Sequence, residues 1–451
     1  MDAMLFRALI MGLVMIFSYN GKSQLKSGPM LGPVDLKTAW IWCELEKDAE
    51  IELVYWKSND PKHKIELEPV KIRQFNYILC KFYLTALDFG TEYQYALELN
   101  DKRQTALIPG RFTTQDLWQY RKPPPDFSIF RGSCAYFNDP VNDRPGKPYG
   151  GDSSIFYTMA KEPSAFMLWL GDNWYYREVD YGSHWGLWNR ASKCRASAEM
   201  QPFWMSTSHL AIWDDHDFGP NNAGVGYVFK DEATQVFNAY WCNPPCPDHE
   251  GVYTKYSFND VDIFMMDDRT FRWSDEMHDS INGMPNVQKR MWGQQQLDWL
   301  KNELANSKAS FKIIANGSNV LNNYNKHDCL VHYPVEYHEL LDFLSSERIN
   351  GVLFMTGDRH HSEVIRKKLN DGYYTYDITN SSLTSGIYRL NDIEKSNPDL
   401  LLPMLVEQNN YTRVSISGPL KDRNLKLEFV DPKGKTLAAM DIKQTELMFG
   451  K

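Results

Sequence analysis

The sequence has few long hydrophobic runs and no excess of positive charge. Apart from residues 8–18, no stretch of the 451-residue chain approaches the length of a transmembrane helix. The net charge of -9 excludes a broad basic face, so no nucleic-acid-binding surface is expected. Internal repeats and low-complexity tracts are also missing. Charged residues at 24% and hydrophobic residues at 43% are typical of an ordered globular protein with room for two or three domains.

The N-terminus has the features of an export signal. Arg7 precedes an apolar core at residues 8–18, and small and polar residues follow as far as Gln24. Because the core is too short to span a bilayer comfortably, we expect a cleavable signal peptide over residues 1–24. The mature protein would then be secreted or periplasmic, without a transmembrane span. A short N-terminal anchor helix is the alternative.

Cysteine is sparse, and its spacing does not indicate a structural zinc site. The seven cysteines are an odd number, so at least one has no intramolecular partner. Export would make disulfides possible. The prolines between Cys242 and Cys246 indicate a loop that a disulfide could close, rather than a metal motif. Cys134 is the candidate for a free thiol, because it lies in a cluster of other chemically active residues.

The chain divides into two regions of different pattern. Residues 30–116 carry short runs with period-two alternation, which predict a fibronectin-III-like all-β sandwich. A stiff, proline-rich linker follows at 120–125. From residue 126 to about 448, apolar runs alternate with helix patterns, which predicts an α/β layer structure. The predicted elements there are helices at 293–304 and 335–346, strands at 311–316 and 351–355, and closing strands at 411–417, 425–430 and 437–442.

Four clusters of potential metal ligands follow apolar segments of the second region. Three of these segments are short and unbroken, as is typical of strands buried on both faces. In layered α/β folds, function gathers at the carboxyl ends of such strands, so we expect the clusters to meet. The clusters are Gly-Ser-Cys at 132–134, Gly-Asp-Asn-Trp-Tyr at 171–175, Trp-Asp-Asp-His-Asp at 213–217 and Gly-Asp-Arg-His-His at 357–361.

The residue types in these clusters suit hard cations. The two oxygens of Asp172 can bridge two ions, and Tyr175 reaches the same point if the chain makes a helical turn. The three carboxylates at 214–217 repel one another unless cations neutralise them. Asp358 and His360 face the same way if their segment is extended, which leaves His361 pointing elsewhere. Such ligands indicate calcium, manganese or ferric iron, and two or three such ions could clamp a phosphoryl group and activate a bound water.

In this order, the clusters resemble those of the PhoD-like alkaline phosphatases of the calcineurin-type metallophosphatase superfamily. Three further stretches are similar to motifs of that family: Asn-Pro-Pro at 243–245, Asp-Asp-Arg-Thr-Phe-Arg at 267–272 and Gly-Gln-Gln-Gln-Leu-Asp-Trp-Leu at 293–300. The resemblance implies a four-layer α/β/β/α metallophosphoesterase core over residues 126–448. It also implies a centre of ferric iron (Fe3+) with calcium (Ca2+), for which Mn2+ or Zn2+ are alternatives.

The resemblance also implies roles for individual residues. Cys134, Asp172 and Tyr175 would hold the iron, with Asp172 bridging to the calcium. Asp215 and Asp358 would be ligands of the second metal position, and His360 would complete the set. His216 matches the superfamily histidine that hydrogen-bonds the phosphoryl oxygen or the leaving group. The usual central ligand between Arg272 and Asp358 has no clear match, and Ser318-Asn319 is a weak candidate for it. Asp217 stands where many relatives have Glu.

Together these patterns predict an exported, metal-dependent phosphoester hydrolase of the alkaline phosphatase D type. A metal-activated hydroxide would attack a small phosphomonoester, and His216 would assist the leaving oxygen. Candidates for substrate contact are His361, Arg269, Arg359 and Asn221. Two alternatives remain open: a phosphodiesterase or phospholipase-D-like activity on diesters, and a non-catalytic surface-binding protein in which the metals are structural.

Overall fold

The structure, a computed structural model, describes residues 25–100, the backbone of 102–103, and residues 109–369 and 373–450. The predicted signal peptide at 1–24 lies outside the described residues. The strands are β1 (Leu25–Val34), β2 (Ala39–Leu45), β3 (Ile51–Lys57), β4 (Ile65–Leu67), β5 (Val70–Gln74), β6 (Tyr77–Leu84), β7 (Glu92–Leu99), β8 (Lys102–Arg103), β9 (Gly110–Thr113), β10 (Phe127–Gly132), β11 (Phe166–Leu170), β12 (Ser208–Ile212), β13 (Thr254–Phe258), β14 (Val261–Met265), β15 (Ser280–Ile281), β16 (Met284–Pro285), β17 (Phe311–Asn316), β18 (Val352–Thr356), β19 (Ser362–Lys368), β20 (Tyr374–Asn380), β21 (Tyr411–Ser417), β22 (Asn424–Val430) and β23 (Thr436–Lys443). The α-helices are α1 (Ile155–Met159), α2 (His184–Arg195), α3 (Gln201–Ser206), α4 (Asp215–Phe218), α5 (Lys230–Tyr240), α6 (Gln294–Asn306), α7 (Pro334–Ser346) and α8 (Asp392–Lys395).

Two large sheets organise the second region. The first runs in the order β23-β22-β21-β10-β11-β12-β1-β2-β6-β5, and β10, β11 and β12 are parallel to one another. The second runs in the order β13-β14-β17-β18-β20-β19, with β14, β17, β18 and β20 parallel. Strands β11, β12 and β18 are buried along their whole length, as their unbroken apolar runs predict.

The side chains of β11 show how the sheets are layered. Leu168 and Leu170 belong to an apolar cluster that includes strands β14, β17 and β18 of the second sheet. Met167 and Trp169 point to the opposite face, where they pack with helices α1, α2, α3 and α5. Alternate residues of a strand face opposite sides, so one strand joins both cores. Around β11, the first sheet is therefore covered by helices on one face and by the second sheet on the other.

Helices α6 and α7 form the outer layer against the second sheet. Leu297, Leu300 and Leu304 of α6 recur on one face and are fully buried in the same cluster as β17, as the spacing predicts. Helix α6 begins after Gly293, which has a φ of +76°. Helix α7 has Pro334 at its first position, where the missing N–H costs no hydrogen bond. The predicted four-layer α/β/β/α architecture is confirmed.

The N-terminal region is a β-sandwich that shares one sheet with the core. Strands β3, β4, β7, β8 and β9 form its outer sheet, and a separate apolar cluster fills the space between this sheet and β1, β2 and β6. Strand β1 also pairs in parallel with β12, with Leu31 opposite Ser208. The sheet thus continues across the predicted boundary between the two regions. The sequence pattern did not indicate this continuity, because pairing between distant strands leaves no local signal.

The predicted linker at 120–125 is fastened to the C-terminal strands. The fully buried Arg423 donates to the carbonyl oxygen of Pro125 at 2.8 Å and forms an ion pair with Asp126 at 2.8 Å.

Among the described residues, no helix has the length and apolar character needed to cross a membrane. The disulfide that could close the loop between Cys242 and Cys246 is not formed, since both residues are free thiols.

Candidate metal centre

Parallel strands of both sheets deliver the four predicted clusters to one place. Cys134 follows β10, Asp172 follows β11, Asp215 follows β12, and Asp358 follows β18. The two sheets approach closely at this edge. A Cβ atom added to Gly357, after β18 of the second sheet, would lie 2.5 Å from the carbonyl oxygen of Leu170 in the first sheet. One added to Gly171 would lie 2.5 Å from the Cβ of Asp214, which follows the neighbouring strand of the same sheet. Gly357 therefore lets a loop of the second sheet approach the first, and Gly171 lets two neighbouring loops of the first sheet meet.

The backbone adopts left-handed conformations at four of the predicted ligands. The φ angles are +60° at Cys134, +53° at Asp172, +69° at Asp358 and +58° at His360. Such values are uncommon for residues other than glycine, and they cluster at functional sites. The segment from Asp358 to His360 is therefore not extended, and the prediction that alternation along a strand aligns these two side chains is wrong.

Two groups of potential ligands share one carboxylate. Cys134, Asp172 and His360 form the first group, in which the ligand atoms lie within 4.8 Å of one another. Asp172 also belongs to the second group, with Asp215 and His216, within the same distance. Asp172 thus occupies the position that a bridging ligand requires.

Tyr175 lies beside the first group. Its hydroxyl donates to Oδ2 of Asp172 at 2.8 Å and lies 3.2 Å from Nε2 of His360. Sγ of Cys134 lies 3.5 Å from the same carboxylate oxygen. A thiol, a phenol, a carboxylate and an imidazole therefore converge on one point, as the turn expected between Asp172 and Tyr175 requires.

The cluster carries more negative groups than the neighbouring protein balances. Burial raises the pKa of Asp172 well above its usual value, and Cys134 and Asp215 raise it further. Burial, with a contribution from Asp328, raises the pKa of Asp358 to about 7. The pKa of the Tyr175 hydroxyl is also raised, first by burial and then by Asp172. Bound cations would reverse these shifts, because they stabilise the deprotonated form of each ligand. The donor set therefore fits a centre of hard cations with one thiolate ligand.

His216 lies between this cluster and an open cavity. Its ring is 4.3 Å from the ring of Tyr175, measured between centroids. Its backbone N–H donates to Oδ1 of Asp172 at 3.3 Å. Burial lowers the pKa of the imidazole, and Asp215 partly opposes this effect. Among the described residues, its ring nitrogens have no hydrogen-bond partner, so they are available to a substrate.

The four predicted substrate contacts occupy different environments. Asn221 is exposed and borders the cavity with His216. Arg269 is fully buried, and its Nε donates to Asp214 at 2.7 Å. Arg359 is buried and forms an ion pair with Glu394 at 2.5 Å. His361 is fully buried, with Nε2 3.4 Å from Glu363. Arg269, Arg359 and His361 do not line the cavity. Ion pairs with buried carboxylates account for the burial of Arg269 and Arg359.

The weak candidates for a central ligand also lie in a polar network of their own. The Ser318 hydroxyl accepts from Arg269 and Arg272, and the Asn319 amide donates to Thr379 at 2.8 Å. The backbone N–H of Asn222 donates to Asp215 at 2.7 Å, which holds that carboxylate in place.

Sequence reasoning missed two residues that support the site. Asp217 accepts from the backbone N–H groups of Asp172, Asn173 and Asp214, and so ties the β11 loop to helix α4. The position of Asp217 in the acidic cluster at 213–217 indicated only a negative charge, and not this role as a hydrogen-bond acceptor. The Tyr149 hydroxyl lies 2.7 Å from Nδ1 of His360. Tyr149 comes from a loop whose sequence carries no motif, and the contact spans 211 residues.

Comparisons with known proteins agree with this geometry. The PhoD-like phosphatase family matches residues 131–420, and a domain of unknown function (DUF7800) matches residues 22–115. Alkaline phosphatase D of Bacillus subtilis (strain 168) is 24% identical over 288 residues, which are 52% of this chain and 49% of that protein. The chain thus spans about half the length of this curated relative.

Solved structures share the fold. A structure of PhoD superimposes with a TM-score of 0.73 at 17% identity, covering 94% of this chain and 91% of the other. A purple acid phosphatase from yellow lupin (Lupinus luteus) seeds gives a TM-score of 0.64 at 11% identity, covering 92% of this chain and 74% of the other. At these identities the similarity establishes the metallophosphatase fold alone. Because the family match extends over more than half of the chain, the protein belongs to the PhoD-like phosphatase family.

Proposed function

We propose that this protein is an exported, metal-dependent phosphoester hydrolase of the alkaline phosphatase D type, with phosphomonoesters as its substrates. One observation carries the proposal: Asp172 is shared by two groups of potential metal ligands that lie beside an open cavity. Membership of the PhoD-like phosphatase family supports the same activity.

The residues divide between two metal positions. Cys134, Tyr175 and His360 would hold an oxidised iron on one side of Asp172, because phenolate and thiolate favour such an ion. Asp215 and Asp358 would hold calcium on the other side, with Mn2+ or Zn2+ as alternatives to either ion. Bound metal ions would neutralise the phosphoryl oxygens and lower the pKa of a water molecule for in-line attack.

His216 would act on the substrate rather than on a metal alone. Its ring faces the cavity and is partly buried, so a substrate oxygen could reach it. Burial lowers the pKa of the imidazole, which makes the protonated ring a stronger acid than a free histidine. A proton donated to the departing oxygen would avoid the release of an unstable alkoxide.

Diester hydrolysis is the second candidate. The cavity beside His216 has a volume of about 520 Å³, which is far more than one phosphoryl group fills. A second ester arm could therefore be accommodated. Comparing p-nitrophenyl phosphate with bis-p-nitrophenyl phosphate distinguishes the two, since monoester hydrolysis should dominate if the proposal is correct.

The decisive experiment combines metal removal with a substitution of His216. Chelation should abolish hydrolysis of p-nitrophenyl phosphate, and returning calcium and iron should restore it. The His216→Asn variant should lose about 100-fold or more in kcat while the ion held by Cys134, Tyr175 and His360 stays bound. His184→Asn is the matched control, because His184 is an exposed histidine of helix α2 that pairs with Glu232. Metal-loaded protein that hydrolyses neither ester would contradict the proposal and favour a binding protein.

Export is tested separately. N-terminal sequencing of the protein secreted by a host that carries the full gene should show cleavage near residue 24. Retention of residues 1–24 in a membrane fraction would instead support an anchor helix.

A further inference from the structure

The cavity beside His216 continues well beyond the candidate metal centre. Its volume of about 520 Å³ lies within the range of pockets that enclose a whole small-molecule ligand. His216, Tyr175 and His360 form its inner end. The loop at 143–149 and the segment at 176–181 form its outer part. A substrate held at the metals would therefore direct its organic group along this cavity.

One side of the cavity is a continuous row of rings, which we call the aromatic wall: Tyr149, Tyr136, Tyr175 and His216. The centroids of Tyr149 and Tyr136 are 4.9 Å apart, and those of Tyr136 and Tyr175 are 5.0 Å apart. The Tyr175 and His216 rings complete the row at 4.3 Å. The wall leads from the outer rim to the predicted ligands without interruption.

Tyr149 is held in a fixed position, but a large part of its side chain is exposed. Its hydroxyl is anchored to Nδ1 of His360, and its ring packs against Tyr136. Nevertheless, 44% of Tyr149 is exposed. A tyrosine whose hydroxyl is bound and whose ring is exposed offers a rigid apolar surface for stacking.

The polar groups around the cavity are mostly engaged with one another. Asp143 accepts from the Tyr136 hydroxyl at 2.8 Å and from Arg177 at 2.8 Å. Arg144 pairs with Glu178 at 2.8 Å across the rim. The remaining lining includes Pro145, Pro148, Pro220 and Tyr181, and the polar side chains of Lys147 and Asn221 lie outside these pairs. A sugar or polyol would need free hydrogen-bonding partners here, whereas a flat ring needs only surfaces on which to stack.

We propose that the cavity binds a planar aromatic group of the substrate, so that nucleoside phosphoesters are preferred to aliphatic ones. This inference rests on the proposed phosphoesterase activity and adds the substrate class. The base stacks on Tyr149 while its phosphate lies at the metal ligands. Stacking of a base on an aromatic side chain strengthens binding by roughly 10-fold to 100-fold.

The test uses two substrates with the same scissile bond. Adenosine 5′-monophosphate and ribose 5-phosphate both lose phosphate from a primary C5 oxygen, so their intrinsic reactivities match. For the metal-loaded wild-type enzyme, we expect a KM roughly 10-fold to 100-fold lower for the nucleotide, with similar kcat values. Equal KM values, with both esters hydrolysed, would overturn the inference and leave the proposed function intact. Hydrolysis of neither ester, nor of p-nitrophenyl phosphate, would instead contradict the proposed function.

Variants of residues that line the cavity show which side chains cause the nucleotide preference. Tyr149→Phe keeps the ring and should retain the nucleotide preference, whereas Tyr149→Leu should abolish it. Tyr181→Leu is a second variant, for the case in which Tyr149→Leu fails to fold or to load metal. Tyr181 touches no predicted ligand, and its replacement should reduce the nucleotide preference. Lys147→Ala is the control, because it removes an exposed charge from the same rim and should change both KM values equally. A preference that survives in both leucine variants would contradict the assignment.

Discussion

Replacing Asp172 with Asn tests whether one carboxylate connects both candidate metal positions. Asp172 is buried, and its ligand oxygen lies within 4.8 Å of those of Asp215 and His216. At an alkaline pH at which both groups are ionised, two carboxylates at that separation repel by roughly 3.5 kcal/mol at an effective dielectric constant of about 20. In metal-free protein, the Asn side chain removes this repulsion and keeps the shape. We therefore expect metal-free Asp172→Asn protein to be more stable than metal-free wild type.

Bound metal should reverse the order of stability of the wild type and the Asp172→Asn variant. Saturation of both metal positions at about 100 times their dissociation constants stabilises the wild type by roughly 2.7 kcal/mol per ion, or about 5.4 kcal/mol for two ions, and the variant gains little because both ligand groups lose the shared carboxylate. For a chain of 451 residues, the entropy of unfolding is roughly 0.95 kcal/mol/K, so each kcal/mol shifts Tm by about 1 °C. The variant should melt up to about 3 °C above the wild type in chelator and at or below it with metal.

Differential scanning calorimetry with parallel metal analysis measures both effects. The control is Asp377→Asn, since Asp377 is also a buried carboxylate with a raised pKa but lies outside the two ligand groups. That variant should keep the full metal-induced shift in Tm. If Asp172→Asn protein still binds two metals per chain, or melts below the wild type in chelator, the assignment of Asp172 as the shared ligand is refuted.

Two further predictions concern stability. Burial lowers the pKa of His209 to about 3, so the unfolded chain binds more protons than the folded one between this value and about 6.5. Stability from neutral His209 is present above pH ~6.5 and is lost as the pH falls, and His209→Gln should flatten this acid dependence in urea titrations. An unchanged dependence of the free energy of unfolding on pH in this variant would contradict the prediction. Arg359→Ala should cost about 3–5 kcal/mol because it leaves Glu394 buried and unpaired, while the KM for p-nitrophenyl phosphate stays the same. A raised KM in stable protein would show that Arg359 contacts substrate after all.

Local patterns were sufficient for the two longest α-helices and for several strands of the fold. The strand predicted at 311–316 is β17, and the helices predicted at 293–304 and 335–346 are α6 and α7, with ends displaced by one or two residues. Apolar periodicity reports directly which face of an element is buried, so it survives in the sequence. The grouping of Cys134, Asp172 and His360 was also accessible, because each follows a strand end. Their roles as metal ligands stay predictions.

Longer-range contacts were not accessible in the same way. Arg269, Arg359 and His361 stand within or beside the ligand motifs, yet buried partners hold them away from the cavity. Conversely, Tyr149 has no motif around it and still reaches His360. A position next to a ligand motif in the sequence therefore does not decide whether a side chain lines the cavity.

The sequence by itself determined the strands, the helices and the chemical types delivered at the strand ends, since burial and metal affinity depend on residue identity and spacing. The tertiary structure alone decided which of those groups meet. Pairing of β1 with β12 joins the N-terminal sandwich to the core sheet, and the close approach of Gly357 to the carbonyl oxygen of Leu170 brings the two sheets together. The aromatic wall likewise exists only in three dimensions, because its rings come from separate loops. These arrangements depend on packing between elements that are far apart in the chain, which no local pattern encodes.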